Sequence, residues 1–542
     1  MDTGITLNPQ RRAAMIESGA WTDKLITDYL DQAIASTPDR EAIVGYQVTS
    51  DTRGALTYRE LNDRVTRMAT GLAAMGIDKG DLVACQLPNW WQTTALHLAC
   101  IRIGAILNPL MPIFRERELR FMLKHGEAKL LVIPKIFRGF DYEAMIDGIR
   151  GELPNLETLL VIEGEGERSF EQRLMETPWE EKQDTKALFA ERQLSADDAV
   201  QILYTSGTTG EPKGVVHTSN TLLSNVRAFS DRLHLTSNDK ILMASPVAHQ
   251  TGFTYGILVP IYLGTTSILQ DIWDAEYVCN VIAAEKPAFT MAATPFLADL
   301  VKTAPKHEGE LDSLRIFVSA GAPIPSAVVE QAGKVLNAKI VSAWGMTENG
   351  AVTTTCPEDP DERASQSDGK ALTYTEVKVT DFQGNELPAG EEGSLLVRGS
   401  SLFVGYLKRP ELYGVDEGGW FNTGDLARVD KDGYIRITGR TKDVVIRGGE
   451  NIPVVEVENL LYKFPGIADV ALVGCVTLDE NATDLTLDEL KSYLTKQQLS
   501  KSYLPEYLEV IEAMPRTASG KIQKFKLREQ AKEVRLEPAK RA

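Results

Sequence analysis

Residues 204–214, YTSGTTGEPKG, have the composition of a phosphate-binding loop. Three glycines let backbone N–H groups approach phosphate oxygens, the Ser and Thr hydroxyls donate further hydrogen bonds, and Lys213 adds a positive charge. The loop is not a Walker A loop, because it contains no Gly-Lys-Ser/Thr. A loop of this composition is also compatible with an ordinary turn, so the loop alone leaves both interpretations open.

Strands and helices that would hold this loop alternate along the first 370 residues. Buried strands are predicted from short apolar runs at 82–87, 130–133, 159–162 and 316–319. Apolar residues three and four positions apart predict a helix over 56–75 and another after the loop, with Ser219 or Asn220 as its N-cap. This alternation indicates an α/β fold with layered, mostly parallel sheets.

After about residue 370 the predicted elements become short strands without helices between them. Short strands at 377–380, 394–397 and 433–438 are separated by turn residues, which predicts a small antiparallel, barrel-like part. From residue 439 onward a compact α+β segment is predicted. Its elements are a helix at 454–463, a strand at 470–474 and a helix at 487–497.

Composition and charge exclude several classes of protein. The chain has 542 residues with a net charge of −18, which argues against broad non-specific nucleic-acid binding. Its five cysteines form no CxxC pair, so a disulfide framework or a structural zinc site is not expected. The N-terminus has no apolar run of a signal peptide, and no stretch reaches the roughly 20 apolar residues of a membrane span. We therefore expect a cytoplasmic protein without stable membrane insertion, a monomer or homodimer.

Six sequence blocks follow one another along the chain. Residues 204–214 match every fixed position of Y-T-S-G-T-T-G-x-P-K-G. The later blocks are SAGAP at 319–323, WGMTE at 344–348, FNTGD at 421–425, GRTKD with RGGENI at 439–452, and PRTASGK at 515–521. Together the six blocks resemble the adenylate-forming superfamily of acyl-CoA synthetases, adenylation domains and firefly luciferase. The resemblance implies an N-terminal domain over 1–441, more antiparallel from about 370, and a mobile C-terminal domain over 442–542.

The resemblance also implies how the residues bind ATP. The predicted phosphate-binding residues are Thr205, Ser206, Gly207, Thr208, Thr209 and Lys213. Glu348 is expected to hold Mg²⁺, and Thr347 to contact the α-phosphate. Trp344, with Gly345 and Met346, and Gly321, Ala322 and Pro323 are expected to enclose the adenine. Asp425 and Arg440 are expected to bind the ribose, although Asp425 in a turn is also compatible with a cap.

The matching lysine of the family, here Lys521, reaches the substrate carboxylate and the α-phosphate in one of two domain orientations. Rotation about Lys442 would withdraw it and present Gly448 and Gly449 to a thiol. Lys521, Glu348 and Thr205 are therefore the predicted catalytic residues.

The acyl pocket is predicted around His249 and Phe253, in the segment that matches H-x-x-G of the family, although a structural role for His249 is equally compatible. The stretch HQTGFTY contains no aspartate for an α-amino group, which favours a plain carboxylic acid. Apolar residues nearby indicate a medium-sized acyl group. The N-terminal region resembles ligases of medium-chain fatty acids and of alicyclic acids such as cyclohexanecarboxylate, and coenzyme A is the expected acceptor.

One segment departs from the family pattern. After Gly474 the usual P-D-x-x-x-G-E is absent, and only residues 475–486 precede the next helix. We therefore expect a loop and much of a strand of the C-terminal domain to be missing, with an edge strand left unpaired. The gap motivates one alternative to an acid–CoA ligase, a non-catalytic or half-catalytic protein that binds ATP or acyl-AMP. A ligase that loads a separate carrier protein is a further alternative.

Overall fold

The computed structural model describes most of the chain. The described residues are 3–5, 7–205, 212–321, 324–441, 445–447, 450–452, 454–471, 475–478, 485–497, 499, 503–516 and 522–533. Among them no helix is both long and apolar enough to cross a membrane.

Two large sheets carry most of the chain up to residue 370. The nine-stranded sheet runs, in spatial order, Lys370–Ala371, Gly350–Thr354, Lys339–Met346, Ile316–Ala320, Phe289–Ala293, Ile241–Met243, Ser267–Gln270, Glu41–Gln47 and Thr52–Thr57. The seven-stranded sheet runs Gly405–Tyr406, Lys213–Thr218, Ala199–Thr205, Ile106–Pro109, Leu82–Cys85, Leu130–Pro134 and Thr158–Ile162. Their inner strands are parallel and antiparallel strands lie at their edges, so the expected layered α/β fold is confirmed.

Smaller sheets follow residue 370. Four antiparallel strands form one sheet, Thr375–Thr380, Gly393–Gly399, Phe421–Val429 and Ile435–Arg440, which confirms the predicted antiparallel part. Two further sheets follow, Val445–Arg447 with Glu450–Ile452, and Ile467–Ala471 with Cys475–Leu478 and Glu509–Val510. One two-stranded sheet, Ile136–Phe137 with Phe140–Asp141, lies earlier in the chain.

Helices connect and cover these strands. The α-helices of the described residues are Pro9–Glu17, Ile26–Ser36, Tyr58–Ala74, Trp91–Ile103, Glu116–His125, Tyr142–Ile149, Thr185–Glu191, Ser219–Arg232, Gln250–Phe253, Val259–Leu263, Ala275–Glu285, Thr294–Thr303, Ser326–Val335, Arg363–Gln366, Val454–Leu461, Leu487–Lys496 and Lys524–Glu533. Short 3₁₀ and π segments join them at Arg150–Glu152, Gly166–Arg168, Glu171–Glu176, Trp179–Glu181, Thr254–Leu258, Ala304–His307 and Pro410–Leu412.

The first residues of two helices are set by hydrogen bonds from backbone N–H groups to the side chain of the N-cap residue. The helix Tyr58–Ala74 begins after Thr57, whose hydroxyl accepts from the backbone N–H of Glu60 while the Glu60 carboxylate accepts from the N–H of Thr57. The helix after the loop begins one or two residues earlier than predicted. Its N-cap is Thr218, whose Oγ1 accepts from the N–H of Thr221, so the prediction of Ser219 or Asn220 is wrong.

The expectation of an unpaired edge at the shortened segment is also wrong. A strand remains there, Cys475–Leu478, and it pairs antiparallel with Ile467–Ala471 and parallel with Glu509–Val510. Because this strand has a partner on each side, the shortening leaves a three-stranded sheet intact.

Candidate active site

A hairpin of the seven-stranded sheet holds the base of the predicted phosphate loop. Thr205 ends the strand Ala199–Thr205, Lys213 begins the antiparallel strand Lys213–Thr218, and these two residues are register partners. The predicted loop residues Ser206, Gly207, Thr208 and Thr209 lie outside the described residues. The hairpin therefore brings Lys213 beside Thr205, and their contact with phosphate stays a prediction.

Glu348 is a buried carboxylate held by a tyrosine. It is 7% exposed, and the hydroxyl of Tyr406 donates a hydrogen bond of 2.7 Å to its Oε1. The Lys213 ammonium lies 4.8 Å from the centroid of the same tyrosine ring. Burial raises the pKa of Glu348, whereas the Tyr406 hydrogen bond and the positive charges of Lys213 and Arg440 oppose that rise. Burial outweighs these opposing groups, so the pKa of Glu348 lies above its ordinary value.

The backbone around Glu348 is also fixed. The carbonyl of Thr347 accepts from Nε2 of His217 at 2.8 Å, and the carbonyl of Glu348 accepts from the N–H of Phe403 at 2.7 Å. Burial lowers the pKa of His217 to about 4, so the imidazole is neutral at pH 7. Arg11 in turn donates to the carbonyls of Phe403 and Gly399, at 3.1 and 3.3 Å. The backbone carbonyls of Thr347 and Glu348 are therefore fixed by two different residues, His217 and Phe403.

Trp344, Asp425 and Arg440 form a second group. Asp425 and Arg440 are register partners in the antiparallel sheet, and Arg440 Nε donates to Asp425 Oδ1 at 2.9 Å. The indole N–H of Trp344 donates to Asp425 Oδ2 at 3.0 Å. Trp344 is 9% exposed and packs in the cluster that contains Phe403 and Tyr406. Its indole therefore orients Asp425, and its contact with adenine stays a prediction.

The strand ends beside Trp344 carry the other predicted adenine residues. Ala320 is the register partner of Ala343, so Gly321 follows directly beside the strand that carries Trp344. At Gly345 an added Cβ would lie 2.0 Å from the carbonyl oxygen of Gly350, so only glycine fits there. Met346 is partly buried against the cluster of Trp344. Ala322 and Pro323 lie outside the described residues.

The H-x-x-G segment forms the N-terminus of a short helix, Gln250–Phe253. The His249 Nδ1 accepts from the N–H of Thr251 at 3.3 Å and caps the helix Gln250–Phe253. An added Cβ at Gly252 would lie 2.1 Å from the carbonyl oxygen of Pro246, which explains the glycine of the motif. Phe253 is fully buried, and its ring forms an edge-to-face contact with the His97 ring, with 4.7 Å between the ring centroids. The cap fits the structural interpretation of His249, and its role in an acyl pocket stays a prediction.

Four predicted residues of the C-terminal segment, Lys442, Gly448, Gly449 and Lys521, lie outside the described residues. Sequence reasoning missed Tyr406, His217 and Arg11, which hold Thr347 and Glu348. Two signals were available, because His217 follows four residues after Lys213 and Tyr406 follows a glycine within an apolar run. Neither signal shows that His217 and Tyr406 form hydrogen bonds with residues of the distant block 344–348.

The predicted metal ligand of this site is the Glu348 carboxylate. Within the described ranges no group of three or more His, Cys, Asp and Glu side chains could hold a metal ion. Mg²⁺ is commonly bound through one or two carboxylates together with substrate phosphates and water. The buried Glu348 beside Lys213 fits that pattern, in which the ATP phosphates supply most of the oxygen ligands.

Comparison with known proteins identifies the family of this chain. The model of the family described as AMP-binding enzyme matches residues 30–407. The chain is 36% identical to a medium-chain fatty-acid–CoA ligase of Escherichia coli strain K12, over 97% of this chain and 94% of the relative. It is 32% identical to a salicylyl-CoA synthase / salicylate adenylyltransferase of Streptomyces sp, over 95% of each chain.

A solved structure is similar over almost the whole chain. ATP-bound MatB from Rhodopseudomonas palustris has a TM-score of 0.80 at 26% identity, covering 94% of this chain and 100% of that chain. The chain therefore belongs to the AMP-binding enzyme family and is a ligase of the adenylate-forming superfamily.

Proposed function

We propose that this chain is an ATP-dependent, AMP-forming carboxylic acid–CoA ligase that acts through an acyl-adenylate on medium-chain or alicyclic acids. One observation carries the proposal, a buried Glu348 carboxylate with two cationic groups near it. Lys213, at the base of the loop, and Arg440, paired with Asp425, both lie close enough to oppose the rise in the pKa of Glu348. A single nucleotide could therefore place its phosphates at Lys213 and its ribose at Asp425.

Joining a carboxylate to the α-phosphate of ATP requires two anions to approach each other. Positive charge and fixed orientation therefore carry most of the catalysis. In our proposal Lys213 and the hydroxyls of the loop bind the β- and γ-phosphates, and Thr347 contacts the α-phosphate. Asp425 accepts from the ribose hydroxyls, because each carboxylate oxygen can accept more than one hydrogen bond.

Mg²⁺ held by Glu348 would neutralise phosphate charge when ATP is bound. The chain's own contribution is to keep this carboxylate oriented, which the 2.7 Å hydrogen bond from Tyr406 does.

The C-terminal segment completes the proposal. Lys521 would supply the last positive charge from a domain over 442–542 that turns about Lys442, and Gly448 and Gly449 would then line the path of the thiol. Coenzyme A is the proposed acceptor, and the reducing cytoplasm the proposed location. The paired strand Cys475–Leu478 favours a working C-terminal domain over a half-catalytic protein.

The acyl group is proposed to bind beside His249 and Phe253. The E. coli relative is named for medium-chain fatty acids, which supports a chain of that size. Each buried methylene is worth about 0.8 kcal/mol, so an apolar pocket grades chain length without rejecting close neighbours sharply.

A panel of carboxylic acids tests this proposal. Purified enzyme with ATP, Mg²⁺ and coenzyme A should release AMP and form a CoA thioester with octanoate or cyclohexanecarboxylate. Pyrophosphate exchange driven by the acid without a thioester would support the half-catalytic alternative instead. Thioester formation only on a carrier protein would support the third alternative, and neither exchange nor AMP release with any acid would contradict all ligase activity.

A further inference from the structure

His97 is a buried histidine outside the nucleotide site. Its exposed fraction is zero, and neither ring nitrogen has a hydrogen-bond partner among the described residues. It lies on the helix Trp91–Ile103, and its ring contacts Phe253 edge to face at 4.7 Å. An imidazole with two unpaired nitrogens costs free energy in a protein interior, because both nitrogens lose their hydrogen bonds to water.

The helix of His97 runs beside the H-x-x-G segment. At one end, the Asn89 amide donates to the carbonyls of Met243 and Ser245, at 3.3 and 2.9 Å. The second contact is between His97, eight residues after Asn89, and Phe253, eight residues after Ser245. The two segments therefore advance in the same direction, with Asn89 facing residue 245 and His97 facing residue 253.

Two more unpaired polar atoms lie between these ends. Thr93 precedes His97 by four residues and Gln250 precedes Phe253 by three, so each lies on the facing side of its own helix. Thr93 Oγ1 and Gln250 Oε1 are buried and have no hydrogen-bond partner among the described residues. We call Thr93, His97 and Gln250 the polar strip.

A polar strip of this kind differs from an ordinary core. Buried polar groups in native proteins are nearly always paired with protein, water or a ligand. The helix at Phe253 also continues as a π-helical segment, Thr254–Leu258, an irregularity that is frequent at functional sites. Burial lowers the pKa of His97 to about 3, so the imidazole is neutral at pH 7 and presents one donor and one acceptor.

We propose that the polar strip lines the acyl pocket and binds an oxygen substituent on the acyl chain, so that hydroxylated or keto-substituted medium-chain acids are preferred substrates. A neutral imidazole matches a hydroxyl group, which also offers one donor and acceptor lone pairs. The inference rests on the proposed acid–CoA ligase activity and names the substrate class of its acyl pocket.

The test compares octanoate with 3-, 6- and 8-hydroxyoctanoate, scored as kcat/KM for CoA thioester formation. For at least one hydroxy acid, the ratio of its kcat/KM to that of octanoate should fall about tenfold in His97→Leu, because the leucine cannot pair with the hydroxyl. His97→Asn, which keeps a donor and an acceptor, should restore part of the ratio. Cys100→Ala, a buried change one turn further along the same helix, should leave the ratio as in the wild type.

A second measurement needs no variant. Calorimetry measures how tightly the wild-type enzyme binds the N-acylsulfamoyl adenosine analogues of octanoate and of the best hydroxy acid. The hydroxylated analogue should bind at least as tightly as the octanoyl analogue. Ratios that do not differ between wild type and His97→Leu for any acid, or an octanoyl analogue that binds about tenfold tighter than every hydroxylated one, would overturn the inference. If no acid yields a thioester, the proposed function itself fails, which is a different result from octanoate turnover with an unchanged ratio.

Discussion

The Tyr406 hydroxyl donates a 2.7 Å hydrogen bond to the buried Glu348 carboxylate. Tyr406 is a register partner of Val215, two residues after Lys213, so the strand that begins with Lys213 also positions the tyrosine. The phosphate loop and the carboxylate proposed for Mg²⁺ are therefore joined through one phenol ring, although their blocks are more than 130 residues apart in sequence.

Tyr406→Phe removes the hydroxyl and keeps the ring. We expect a loss of about tenfold in kcat/KM for ATP and a raised Mg²⁺ requirement, because Glu348 loses the group that orients it. Calorimetric binding of ATP with and without Mg²⁺ provides a readout besides activity. The contribution of Mg²⁺ to ATP affinity should shrink in the variant.

A matched control exists in the nine-stranded sheet. Tyr46 donates a hydrogen bond of the same 2.7 Å to Glu285. Tyr46→Phe should therefore change thermal stability without changing the effect of Mg²⁺ on ATP binding. Equal behaviour of the two variants would show that Tyr406 acts on stability alone.

The sequence predicted the layered fold and the residues that share each block, because apolar periodicity and turn residues are local properties. The helix Tyr58–Ala74 lies within the predicted 56–75 for that reason. Contacts between blocks were not predictable in the same way. The pairing of Trp344 with Asp425 and of His217 with the Thr347 carbonyl depends on which strands become neighbours.

The shortened C-terminal segment shows a different limit. From sequence, we expected a loop and much of a strand to be missing and an edge strand to be left unpaired. Strand pairing depends on partners elsewhere, and Glu509–Val510 supplies one for Cys475–Leu478. A gap in a family pattern therefore does not show which backbone groups lose their partners.

Asp425→Asn tests the ribose side of the site. We expect a rise of about tenfold or more in KM for ATP, because the amide presents a donor where Trp344 Nε1 and Arg440 Nε require acceptors. Glu376→Gln is the control, since Glu376 accepts from Arg398 in the same sheet on an exposed face. A normal KM for ATP in Asp425→Asn would contradict a ribose-binding role.

The pH dependence of stability reports on His97. Burial lowers the pKa of His97 from the ordinary 6.5 to about 3. Below pH 6.5 the unfolded chain gains a proton that the folded chain does not, so the free energy of unfolding falls as pH falls, by up to about 1.4 kcal/mol per pH unit. His97→Leu should therefore lose less stability between pH 7 and 5 than the wild type in thermal unfolding.

Cys100→Ala provides the comparison for this measurement, because Cys100 is buried on the same helix and burial raises the pKa of its thiol, which therefore stays neutral between pH 7 and 5. Cys100→Ala should keep the slope of the wild type. An unchanged slope in His97→Leu would mean that water reaches the imidazole and that its proton is taken up equally in both states.

Lys521→Ala tests the division of labour between two half-reactions. The resemblance assigns Lys521 to the substrate carboxylate and the α-phosphate, so its loss should abolish acyl-adenylate formation, measured as pyrophosphate exchange. Thioester formation from supplied acyl-adenylate should continue, because the α-phosphate bond is already made in that substrate. Lys524→Ala is the control, since Lys524 Nζ pairs with Glu458 at 2.7 Å within the same segment and should leave both half-reactions active. Equal loss of both half-reactions in Lys521→Ala, with Lys524→Ala active, would contradict a lysine that serves only adenylate formation.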